Sequence, residues 1–219
     1  MSDMQATSFA RSLWRTAMIG AVFAVLVWLG SVDLARAEGI DGYRSAHFGM
    51  TKAEVLRAIQ MDFGIEGGET RIVHPLQKTT ALVVRADSLV FGAGATQLVY
   101  IFGYRSERLI QVTLNWGHPL ETAVDAATLV RAARAMMNRM ALQGLPRNTL
   151  SSDMAVDDGS IIVFRANDAD AHVIEMRMKG PGIGPAADNG NDEATSWLRL
   201  SFIQDAESPD TYRIEPGAF

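Results

Sequence analysis

The chain has 219 residues, 48% of them apolar and 21% charged, with 20 Lys and Arg against 25 Asp and Glu for a net charge of −5. These proportions exclude wholesale disorder, and an acidic balance argues against a dedicated nucleic-acid binder, which needs a basic surface for phosphates. The chain has no cysteine, which excludes disulfides, thiol catalysis, cysteine-ligated zinc, iron–sulfur clusters and lipid attachment at a cysteine.

The first element in chain order reads as an export signal. Arg11 and Arg15 precede an uncharged run from Ala17 to Gly30, and Ala35-Arg36-Ala37 follows as a small-x-small site. The run is shorter than the roughly 20 apolar residues that a bilayer-spanning helix needs. Residues 1–37 therefore predict a signal peptide cleaved before Glu38. Cleavage leaves a domain over 38–204 and a polar tail over 205–219. An exported chain without cysteine points to the bacterial periplasm, since a eukaryotic secreted protein of this size more often carries disulfides. The alternative is an uncleaved anchor, because Asp33 and Arg36 crowd the site. Membrane contact is expected only in that case.

A helix is predicted over 51–63. Thr51 is the N-cap and Glu54, three residues on, completes a capping box, with Met50 and Val55 placed as a hydrophobic staple. Val55, Leu56 and Ile59 form its apolar stripe, and Gly64 stops it. Residues 64–80 read as a loop rich in Gly, Thr and charge, 81–86 as a short strand, and Gly92-Ala93-Gly94 as a turn. A hairpin follows. Its first strand, 97–104, places Tyr100 and Phe102 on one face. Its second, 109–116, directs Ile110, Val112, Leu114 and Trp116 one way and Gln111, Thr113 and Asn115 the other. Pro119 is placed at N1 of a long helix over 119–143, with Glu121 and Asp125 early and Arg131, Arg134 and Arg139 late, in accord with the helix dipole. Gly144 and Pro146 end it. A second hairpin pairs 161–167 with 172–179 around Asp168-Ala169-Asp170. Residues 180–196 read as a mobile loop, 197–204 as a last strand, and the tail from Asp205 as poorly ordered.

The order helix, strand pair, helix, strand pair, strand has the form of a tandem α-β-β repeat. The fold class it predicts is α+β, two helices packed on one face of an antiparallel sheet of about five or six strands.

The stretch Phe48-Gly49-Met50-Thr51-Lys52-Ala53-Glu54-Val55, followed by Leu98 to Phe102 and Arg108 to Val112, resembles the helix and hairpin of small bacterial envelope proteins. The SmpA/BamE-like and β-lactamase-inhibitor-protein-like modules are of this kind. The resemblance implies a helix-on-sheet module that binds protein partners and carries no catalytic residues. This chain lacks the lipobox cysteine of the outer-membrane-assembly members.

Catalytic vocabulary is sparse, and no catalytic residue, cofactor or metal is predicted. His47, His74, His118 and His172 have no second ligand at i+2 or i+4. Met136, Met137 and Met140 on one helix and Met176 and Met178 on one strand could bind Cu(I), but sit at core positions. Asp188-Asn189-Gly190-Asn191-Asp192-Glu193 is rich in hard oxygen ligands but does not keep the EF-hand register. There is no Gly-x-Ser-x-Gly elbow, and the Asp157/Asp158 and Asp168/Asp170 pairs sit where turns favour Asp. Gly180-Pro181-Gly182-Ile183-Gly184 lacks the lysine and helix start of a phosphate loop.

The function expected is an exported, non-catalytic periplasmic binding or accessory protein acting through protein–protein contact with an envelope partner and not with nucleic acid. Tyr100, Tyr104, Trp116 and Trp197 are the candidate contact residues. The alternatives are a hydrolase using His118 or His172 with a nearby Asp, and a metal or small-molecule carrier using the methionines.

Overall fold

The computed structural model describes residues 39–213 except 75, 88, 91, 121–123, 142–153 and 184–195. The signal peptide expected at 1–37, the helix stop at Gly144 and Pro146, and the acidic stretch 188–193 lie outside the described residues.

Local chemistry sets the first helix, α1 (Lys52–Phe63). Thr51 is extended at φ −71° and accepts from the Glu54 N–H, while the Glu54 carboxylate accepts from the Thr51 N–H at 2.7 Å. Two of the amide groups that a helix start leaves unpaired are thus satisfied reciprocally. At the other end Gly64 takes φ 67°, a left-handed conformation that costs glycine little, and its N–H returns to the Gln60 carbonyl at 2.9 Å. Val55, Ala58 and Ile59 face the core.

The second helix, α2 (Ala126–Ala141), starts later than expected. Asp125 supplies the cap, its carboxylate accepting the Thr128 N–H at 2.6 Å. Pro119, placed by sequence at N1, instead lies in a turn where the Leu120 N–H meets the Gly117 carbonyl at 2.9 Å. Proline at a turn position and at N1 share the same fixed φ, so the residue alone does not separate them.

The strands are β1 (Gly42–Tyr43), β2 (Ala46–His47), β3 (Glu69–His74), β4 (Thr79–Ala86), β5 (Thr96–Phe102), β6 (Leu109–Gly117), β7 (Met154–Ala155), β8 (Ile161–Asn167), β9 (Val173–Lys179) and β10 (Trp197–Ile203). β1 and β2 make a separate ribbon, and the other eight form one antiparallel sheet in the order β3-β4-β5-β6-β10-β9-β8-β7. This corrects the expected α+β fold of two helices packed on five or six strands, and the α-β-β repeat with it. Among the described residues strand outweighs helix by about two to one. The sheet is the body of the molecule, and each helix adds only a short stripe to its core. Each half is a helix followed by four consecutive antiparallel strands, α1 with β3–β6 and α2 with β7–β10, and the halves meet where β10 pairs with β6. β3 was hidden in the stretch read as a loop, and β7 is only two residues long.

The core lies on one face of the sheet. Leu82, Leu98, Tyr100, Phe102, Val112, Leu114, Trp116, Met176, Met178, Leu198 and Leu200 are buried there with Val55, Ile59, Leu129 and Met140 from the helices. The alternation expected for β6 holds from Val112 to Trp116. It fails at Ile110, because a bulge between Ile101 and Phe102 pairs Phe102 with Leu109 and turns Leu109 inward. The tail is also corrected over its described part. Asp210 accepts the backbone N–H groups of Arg105 and Ser106 at 3.1 and 2.8 Å, and the Tyr212 N–H meets the Gln77 carbonyl at 2.8 Å. These bonds dock the tail on the β5–β6 turn. No helix among the described residues is long and apolar enough to cross a membrane.

Candidate functional site

The face of the sheet away from the core is where the alternation puts polar groups. The registers align its side chains in rows across the strands. Arg85, Gln97, Asn115, Arg199 and Arg177 form one row, Val83, Val99, Thr113, Ser201, Glu175 and Arg165 the next, and Ala81, Ile101, Gln111, Ile203 and Val173 a third. Ala81, Val83 and Val99 form a small buried cluster of their own at the β4–β5 end. Beside it a hollow of about 590 Å³ crosses β5, β6, β10 and β9, lined by Gln97, Gln111, Thr113, Asn115, Arg177 and Arg199 among others.

Hydrogen bonds fix this floor. Gln111 Nε2 donates to Thr113 Oγ1 at 2.9 Å, and Thr113 Oγ1 lies 3.3 Å from Ser201 Oγ. Arg165 donates to Glu175 at 3.0 Å. Arg177 reaches both carboxylate oxygens of Asp158 at 3.3 Å and Ser160 Oγ at 3.0 Å. The Ser160 hydroxyl, with Arg177 adding a smaller share, holds the Asp158 carboxyl below its usual range. Arg199 donates from Nε to Asn115 Oδ1 at 2.9 Å, and its guanidinium lies 5.1 Å from the Trp197 ring. Its side chain reaches solvent, yet its guanidinium lies against the sheet. Desolvation there, and secondly the charge of Arg177, lower its pKa from the ordinary arginine value.

The four expected contact residues do not form one patch. Tyr100 and Trp116 are 1% and 0% exposed, so no partner reaches them in this structure. Burial pushes the Tyr100 hydroxyl pKa upward, and Trp116 Nε1 is buried without a hydrogen-bond partner. Tyr104 and Trp197 reach the surface at opposite ends of the β5–β6 hairpin. Tyr104 sits after the last residue of β5, and Trp197 pairs with Gly117, the last residue of β6. Tyr104 packs edge-on against Tyr212 at 5.4 Å, with Lys78 Nζ 3.8 Å from the Tyr212 ring. Alternation alone does not distinguish a tyrosine on the inner face from one in a turn, and that is why Tyr100 and Tyr104 were grouped.

Other candidates fall into place around this face. Met140, Met176 and Met178 are buried in the core, and Met136 and Met137 pack against it. Asp168, Asp170 and His172 offer ligand atoms within 4.8 Å of one another; the carboxylates precede the histidine at i−4 and i−2, so a pattern of ligands at i+2 and i+4 does not show the grouping. Asp168 is already engaged by backbone, accepting N–H groups from Ile40 at 2.7 Å, Asp170 at 3.0 Å and His172 at 2.9 Å. His172 Nδ1 lies 3.3 Å from Asp168 Oδ2, close enough for an ion pair but without hydrogen-bond geometry. His172 and Asp170, but not Asp168, line a polar cavity of about 680 Å³ together with Gln111, Arg165, Asp205 and Asp210. Compared with protein-family models, curated proteins and solved structures, the chain matches none.

Proposed function

We propose that this chain is an exported, non-catalytic periplasmic binding or accessory protein that acts through protein–protein contact made by the outer face of its sheet. The observation that carries the reading is the hollow of about 590 Å³ across four adjacent strands. Its floor combines half-buried Ile101 and Ile203 with the amide and hydroxyl groups of Gln97, Gln111, Asn115, Thr113 and Ser201. Apolar contact area beside convergent polar groups is the composition of a protein-contact surface. The export signal read at 1–37 and the resemblance to envelope modules that dock on partners support the same reading. The test is capture from envelope extract with the full chain as bait. One stoichiometric partner, lost when Gln97 and Ile101 are both replaced by Lys, is the expected result. No partner, or a partner indifferent to those changes, refutes it.

A second reading, a hydrolase, is favoured by one observation, that His172 lines the polar cavity with the Asp168 carboxylate 3.3 Å behind its Nδ1. Asp168 would orient His172 as a general base. No hydroxyl among the described residues hydrogen-bonds to His172. Turnover of a chromogenic ester that His172→Gln abolishes would establish this reading, and an inert wild-type chain would remove it.

A further inference from the structure

Arg199 and Arg177 face each other directly in the antiparallel register of β10 and β9. Like charges so placed oppose pairing, so each needs compensation. Arg177 has it from the Asp158 carboxylate at 3.3 Å and from Glu175, whose carboxylate lies 4.0 Å from its Nε. Glu175 is shared with Arg165 at 3.0 Å. Lys179 adds a fourth cation, its Nζ on the Asp158 carbonyl at 3.1 Å. Among the described residues, Arg165, Arg177, Lys179 and Arg199 thus stand against Glu175 and Asp158 alone, in a chain whose net charge is −5. Among the described residues no carboxylate pairs with Arg199. Its partners are the neutral Asn115 Oδ1 and the face of Trp197. A guanidinium carries five N–H donors in a planar fork that matches a carboxylate. One donor is spent on Asn115, and the ring contact fixes the plane of the fork.

We propose that Arg199, braced by Asn115 and Trp197 and set against Arg177, is the socket for a carboxylate side chain of an acidic segment on the protein partner. The proposal rests on the reading of the outer face as a contact surface. An incoming Asp or Glu would supply a direct counter-charge at the β10 edge of the four-cation cluster, where Arg199 has only the more distant attraction of Asp158, while Ile101 and Ile203 in the same hollow cover apolar parts of the segment. A hollow spread over four strands suits a chain segment lying across the ladder, and the fork gives it one charged anchor.

The test uses the full chain with a hexaglutamate peptide as probe, followed by Trp fluorescence and calorimetry, with hexalysine and inorganic phosphate as comparisons. Hexaglutamate is expected to bind and hexalysine not. Arg199→Gln should weaken hexaglutamate binding by about tenfold or more, the factor that loss of one charge-assisted hydrogen bond implies. Asn115→Asp is the diagnostic variant, because it gives Arg199 a carboxylate from within. It should weaken peptide binding by a similar factor while the melting temperature rises. Failure of hexaglutamate to bind, equal binding by either variant, or displacement of the peptide by phosphate at equal concentration overturns the proposal. A protein captured from envelope extract equally by wild type and Arg199→Gln would leave the contact face standing and remove the socket. Hexaglutamate binding that tracks Arg199 without any captured protein would do the reverse.

Discussion

Replacing Thr51 with Ala removes one half of the capping box of α1 and leaves the other. The Thr51 hydroxyl accepts the Glu54 N–H at 3.3 Å and donates to Glu54 Oε2 at 2.7 Å, and both contacts vanish. The bond from the Thr51 N–H to Glu54 Oε2, at 2.7 Å, needs no side chain at position 51 and survives. Loss of an N-cap hydroxyl costs about 0.5–2 kcal/mol, and the long accepting bond with the surviving partner places this case near about 1 kcal/mol. For a domain of this size that lowers the melting temperature by about 2–4 °C. Thermal denaturation followed by circular dichroism measures it, with Thr51→Ser restoring the wild-type midpoint. The difference is also pH-dependent. The Glu54 carboxyl is held below its usual range first by the Thr51 N–H and then by the Thr51 hydroxyl. A depressed folded-state pKa stabilises fully above the unfolded value, about 4.3 for Glu, and that stabilisation is lost as pH falls through the lower folded value. The gap between wild type and Thr51→Ala should therefore narrow in acid. An unchanged midpoint near neutral pH would refute the capping argument.

Gly103→Ala should destabilise the tail and the β5–β6 turn together, since a Cβ there would collide with the Asp210 carboxylate. Faster hydrogen exchange at Arg105 and Ser106 is the readout, and unchanged protection there would contradict the docking. Ile59→Ala opens a cavity at a fully buried position on α1 and should cost about 2–5 kcal/mol in urea denaturation, with a loss below 1 kcal/mol counting against its place in the core. Asp158→Asn should flatten the acid limb of the stability profile, because the depressed carboxyl at 158 contributes above its usual pKa and loses that contribution as pH falls. N-terminal mass spectrometry of the protein purified from its native cells should find Glu38 first if the proposed export and cleavage hold, and a chain starting at Met1 would mean a retained anchor.

Features that depend on neighbours in sequence were legible in advance. Thr51, Glu54 and Gly64 announce α1 because a cap is a local matter of three or four residues. The alternation of Leu98, Tyr100 and Phe102 against Val112, Leu114 and Trp116 announces the β5–β6 hairpin for the same reason. What was missed depends on partners far away. β3 carries few apolar residues in a run of Gly, Thr and charge, and it is a strand because β4 pairs with it. β10 inserts between β6 and β9, and no local pattern says that the last strand occupies the middle of the sheet. That insertion brings Arg199 beside both Asn115 and Arg177, which are 84 and 22 positions away in the chain. The candidate site therefore joins Gln111, Thr113 and Asn115, which the alternation places on the outward face of the hairpin, to Arg177 and Arg199, which no local pattern singles out, while two of the candidate aromatics, Tyr100 and Trp116, are drawn into the core by the alternation that made them visible. Asp210 shows the same limit, because a polar tail reads as loose until its carboxylate is seen closing a turn about a hundred residues earlier.

The contact face is tested most directly by photo-crosslinking in intact cells, with a photoreactive residue placed either at Gln97, in the hollow of the outer face, or at Met61, on α1 and 74% exposed. The account predicts one dominant crosslinked protein from position 97 and none from position 61. A partner crosslinked from position 61 but not 97 would contradict it, as would the absence of any crosslink from position 97.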